Sequence, residues 1–79
     1  MTTVVITRRH NELDPTVSTD EYTYGEHVVE VHTVERYGCM VYDVTFDVWL
    51  GEYEFLTPLC AQLLALETLG VVDADPVLP

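Results

Sequence analysis

Residues 40–50 read MVYDVTFDVWL, and their alternation decides the fold class. Met40, Tyr42, Val44, Phe46, Val48 and Leu50 are apolar, with Asp43, Thr45 and Asp47 between them. A strand with one buried face requires this period of two, because successive side chains leave a strand on opposite sides. Upstream, His27–Arg36 places Val29, Val31 and Thr33 on one parity and Glu30 and His32 on the other. A turn centred on Tyr37 and Gly38 then makes residues 27–50 an antiparallel hairpin. In it Val31 faces Val44, Val29 faces Phe46 and Thr33 faces Tyr42 on the core side. The other face sets His32 against Asp43, Glu30 against Thr45 and Val28 against Asp47. A slip of one residue mixes the two faces, so the patterns support a single register.

Downstream the period changes. Thr57 suits a helix N-cap, Pro58 the first helical position and Gly70 the stop, which predicts a helix over 57–69. Leu59, Leu63 and Leu66 form an i, i+4, i+7 stripe flanked by Cys60, Leu64 and Leu69, the side expected to pack on the sheet. Thr2–Thr7 is β-branched throughout and reads as a first strand over 2–7. Residues 11–25 carry turn chemistry in Asn11, Asp14-Pro15 and Gly25 and read as a loop, with Tyr22–Tyr24 a possible strand extension. Residues 71–79, with Asp73, Asp75, Pro76 and Pro79, read as an irregular acidic tail. The expected architecture is therefore α+β within a single domain over 1–79. It consists of a small antiparallel sheet of about three strands with one C-terminal amphipathic helix on one face.

Charge bounds the function. The 79 residues hold fourteen acidic side chains against three arginines, with no lysine and a net charge of -11. Such a field attracts basic surfaces and repels nucleic acid and anionic lipid. A hydrophobic content of 48% separates the chain from acidic disordered segments and predicts a packed core. Two cysteines, Cys39 and Cys60, are too few for a secreted disulfide framework and read as reduced thiols. No apolar run approaches the roughly 20 residues that cross a bilayer. The N-terminus lacks the order of a secretory signal, so the expected location is cytoplasmic.

Enzyme chemistry finds little support. His10, His27 and His32 lack metal-ligand spacing, and His32 with Asp43 and Glu30 makes an incomplete ligand set, better read as a surface ion pair. Cys60, near the start of the helix, is expected to be a buried small hydrophobe rather than a nucleophile. Asp43 and Asp47 lie on a strand face with no cleft implied, and the four glycines are isolated turn residues. The expectation is no enzyme, no cofactor and no metal.

The outer sheet face is the stronger candidate. Asp43 and Asp47, two pleats apart, would stand about 13–14 Å apart along one strand. That interval is compatible with alternate phosphates of a DNA strand. Glu26, Glu30, Glu52 and Glu54 extend the acidic region, and Trp49 shares the parity of Asp43 and Asp47 as an exposed anchor. Val28, Val34 and Val41 fall on the same parity, which leaves a homodimer through this face as an alternative to a monomer.

In size, acidity and absence of lysine the chain resembles small phage-encoded inhibitors of bacterial defence, such as anti-CRISPR proteins and other acidic DNA mimics. The resemblance implies a protein-binding inhibitor that occupies a basic nucleic-acid-binding surface of a defence complex in the host cytoplasm. It implies no direct contact with nucleic acid or membrane. Two other readings share the composition: a virion or assembly protein that forms homo-oligomers, and an acidic domain adapted to high salt.

Overall fold

Five strands follow one another across a single antiparallel sheet, in a computed structural model that describes residues 3–51 and 54–71. They are β1 (Val5–His10), β2 (Val17–Tyr24), β3 (His27–Val34), β4 (Gly38–Asp43) and β5 (Val48–Leu50). One helix, α1 (Pro58–Leu69), lies across β2, β3 and β4 on one face. The architecture is α+β as expected, with five strands where about three were predicted.

The additional strands come from two places. Residues 11–16 do form the expected turn: Asn11 Oδ1 accepts from the amides of Leu13 (2.8 Å) and Asp14 (3.0 Å), and Asp14 Oδ1 accepts from Thr16. From Val17 onward, however, the predicted loop is an eight-residue strand. Its Asp20 is tolerated on the helix side because Arg8 of β1 meets it with two hydrogen bonds, 2.7 and 2.9 Å long. The second place is the 40–50 stretch, which is two strands and not one. β4 ends at Asp43, whose Oδ1 accepts from the amide of Phe46 (3.1 Å), and Asp47 takes a left-handed backbone (φ 56°) that reverses the chain into β5.

The hairpin register also differs from expectation. Val29 pairs with Asp43 and Val31 with Val41, so the turn comprises Glu35, Arg36 and Tyr37. Arg36 supplies the left-handed residue (φ 76°), while Gly38 belongs to β4. Gly38 is needed there for another reason: a Cβ would stand 2.8 Å from the carbonyl oxygen of Leu56, where the chain bridges back to β4. The shift is an odd number of residues, so β4 turns over. Cys39, Val41 and Asp43 point to the helix, and Met40 and Tyr42 point away.

The helix confirms its predicted termini. Thr57 Oγ1 accepts from the amide of Cys60 (3.3 Å), Pro58 opens the first turn, and Gly70 is left-handed at φ 80°. Amides of Gly70 and Val71 cap the carbonyls of Glu67 and Leu66, each at 3.0 Å. The buried positions are Ala61, Ala65 and Leu69; of the side expected to pack, Leu64, Leu66 and Leu69 meet the core, while Leu59, Leu63 and Cys60 do not. Small alanines let the helix approach Val29 and Val41, both fully buried. Leu59 and Leu63 remain 66% and 57% exposed, and Cys60 is exposed rather than buried. Cys39 is the buried thiol. β1 runs from Val5, later than the 2–7 expected. Apart from Val71, which packs on the core, the predicted tail lies outside the described residues.

Candidate functional site

Directly opposed residues in an antiparallel sheet share a face, so the register assigns every strand position to a side. On the helix side, one row runs Ile6–Tyr22–Val29–Asp43–Val48 and the next Arg8–Asp20–Val31–Val41–Leu50. Among the described residues no helix covers the other face. There one row reads Thr7–Glu21–Glu30–Tyr42–Trp49 and its neighbour Arg9–Thr19–His32–Met40. This open face is where side chains able to bind a partner collect.

Trp49 anchors it, 44% exposed near the end of β5. Its ring lies 4.8 Å from that of Tyr42 and 5.6 Å from that of His32, tilted by 47° and 49°. Each neighbour holds a carboxylate. The Tyr42 hydroxyl donates to Asp47, which pushes the phenol above its ordinary titration range and keeps it a neutral donor. His32 Nε2 meets Glu30 Oε1 at 3.0 Å; a carboxylate only accepts, so this nitrogen carries the proton. Nδ1 of the same ring faces the Thr19 hydroxyl at 3.1 Å, and Arg9 reaches the second oxygen of Glu30 at 3.1 Å. Glu21, directly opposite Glu30, has no ion-pair or hydrogen-bond partner among the described residues.

The residues expected to form the site are not kept together. Glu30, Trp49 and Asp47 meet around the open face. Asp43 does not: it is 2% exposed on the helix side, where His27 Nε2 donates to its Oδ2 at 2.8 Å. It pairs with Val29 rather than His32, and the turn that reverses the chain after it breaks the expected Asp43–Asp47 line along one strand. Glu26 is exposed in the β2–β3 turn, Glu54 is exposed beyond β5, and Glu52 lies outside the described residues. Val41 is buried under the helix, not outward as the hairpin reading had it. Glu21, Tyr42 and Arg9 were missed, because only the true register of β2 and β4 puts them in one patch.

Other features offer less. A groove of about 420 Å³ beside the helix is lined by Ile6, Tyr22, Cys39 and Gln62, but its charged groups, Arg8 and Asp20, neutralise one another. Their contact holds the Asp20 carboxyl below the usual carboxylate range. Burial pushes the neighbouring Tyr22 phenol up. Among the described residues no three His, Cys, Asp or Glu side chains are grouped to hold a metal ion. None of the described helices is long and apolar enough to cross a membrane. No protein-family model matches the chain, and comparisons with curated proteins and with solved structures give no match.

Proposed function

We propose that this chain is a non-enzymatic binding domain that docks the open face of its sheet on a basic protein surface. In its specific form it is an inhibitor that occupies a nucleic-acid-binding channel of a bacterial defence complex and displaces the DNA. The observation that carries the reading is the uncovered row Glu21–Glu30–Tyr42–Trp49 on a chain of net charge -11. The net field accelerates encounter with a basic channel, and the half-exposed indole supplies a contact that salt does not screen. Described carboxylates also sit on the helix side and in turns, so competition rests on the overall field plus this anchor. A straight file of phosphate-like charges is not part of the proposal.

The test is displacement of a labelled duplex from a DNA-targeting defence complex. Trp49→Ala should weaken displacement by about tenfold or more, as truncation of an interface anchor does. Glu21→Lys should weaken it and reduce its salt dependence, while Glu67→Lys, on the exposed side of the helix, should do little. Equal losses for Glu21→Lys and Glu67→Lys, with none for Trp49→Ala, would indicate a diffuse charge effect. No displacement by the unaltered protein would reject the function.

The scatter of the remaining carboxylates favours a second reading, in which acidity serves solvation in concentrated salt. Self-repulsion is largely screened once the Debye length falls to about 3 Å at 1 M salt. A melting temperature that continues to climb well above 1 M potassium chloride would support salt adaptation, and a plateau below it would not.

A further inference from the structure

We propose that the Trp49 end of the open face is a seat for an arginine side chain of the partner and discriminates guanidinium from ammonium. The inference rests on the docking face assigned above and adds the chemistry of what it receives. The Trp49 ring is close to the aromatic member of two aromatic–carboxylate pairs, Tyr42 with Asp47 and His32 with Glu30. A cation over the indole is attracted by the ring quadrupole, and the flanking carboxylates add to that attraction. A guanidinium can lie flat on the ring while its in-plane N–H groups reach a carboxylate. An ammonium, a compact and strongly hydrated charge, cannot do both at once.

The same row carries a second demand for positive charge. Glu21 and Glu30 are direct cross-strand partners, an arrangement that costs stability when both are ionised. Arg9 and His32 engage Glu30, and Glu21 is left without a cation among the described residues. The backbone positions of Trp49 and Glu21 are three strand spacings apart along the row, about 14 Å at 4.7–4.9 Å each. Two residues four apart in an extended segment are separated by about 13–14 Å. The partner segment is therefore an extended one with arginines four positions apart, laid across the strands with one arginine on Trp49 and the other at Glu21.

The probes are two blocked pentapeptides, one with arginine at each end of a triglycine and one with lysine in those places. Binding is followed by backbone amide shifts of the intact protein, and by emission of Trp49, the single tryptophan. The arginine peptide should bind on the order of fivefold tighter than the lysine peptide and perturb Trp49 emission. Trp49→Leu should abolish that preference, and Glu21→Gln should weaken both peptides alike. Equal affinity of the two peptides, or a preference that survives Trp49→Leu, would overturn the seat. If neither peptide binds but the protein displaces DNA, the seat falls and the docking function stands. If the arginine preference is measured but no DNA is displaced, the seat stands and the DNA-competing function falls.

Discussion

Replacing Asp43 with alanine separates the observed register from the one the alternation suggests, because the two put this carboxylate on opposite faces. In the structure Asp43 is 2% exposed and accepts from His27 Nε2 (2.8 Å) and from the amide of Phe46 (3.1 Å). Hydrogen bonds to a charged group contribute about 1.5–3 kcal/mol each, and a stranded buried partner adds its own desolvation cost. Phe46 itself is 70% exposed, so its amide can turn to water and only part of the second bond is lost. The expected loss is about 3 kcal/mol. A domain of this length holds roughly 4–12 kcal/mol in total, so the variant should melt some 12–24 °C lower. Urea unfolding followed by the fluorescence of Trp49, which lies just beyond the turn that Asp43 closes, measures it directly. Asp43→Asn keeps an acceptor for the Phe46 amide and should lose about half as much. Glu67→Ala, on the exposed side of the helix, is the benchmark and should stay within about 0.5 kcal/mol of the unaltered protein. A loss for Asp43→Ala as small as that benchmark would mean the carboxylate faces water and the β3–β4 register is wrong.

Three further outcomes follow from particular positions. Gly38→Ala should cost more than about 2 kcal/mol in the same urea assay, because its Cβ would meet the Leu56 carbonyl oxygen at 2.8 Å and its φ is 123°. Gly70→Ala, with no atom within 4 Å of the added carbon, should lose only about 1 kcal/mol for its left-handed backbone. The Asp20 carboxyl is held low chiefly by its hydrogen bond to Arg8, so its contribution is complete above the unfolded value of about 3.9 and disappears as pH falls through the lower folded value. Melting temperatures measured from pH 6 down to pH 2 should therefore show Arg8→Ala destabilising at pH 6 and converging on the unaltered protein at the acid end.

What the sequence makes legible here follows from how many independent signals each element carries. The helix has a capping hydroxyl, a proline at the first position and a left-handed stop, three requirements of backbone chemistry that no tertiary contact can relocate. Its buried side has a single signal, apolarity, and α1 is apolar nearly all round; the choice of Ala61 and Ala65 over Leu59 and Leu63 is made by how closely the helix must approach Val29 and Val41. The same logic explains the sheet. Residues 39–42 are apolar on both parities, so the side chains facing the core are chosen by the turn at residues 35–37, and Gly38 falls inside β4 where the Leu56 carbonyl leaves no room for a Cβ. Asp43 is the one polar marker in the strand, and it misleads because His27, sixteen residues away in the chain, satisfies it in the interior. β2 hides for a related reason: Ser18, Asp20 and Glu21 read as loop until Arg8 and the open face account for them. The parity argument that puts Trp49 on the outer face runs through an uninterrupted strand, yet Trp49 and Asp43 lie on opposite faces because the chain reverses between them. The open face is therefore a product of register, and a variant that moves the register would dismantle the docking row without touching any residue in it.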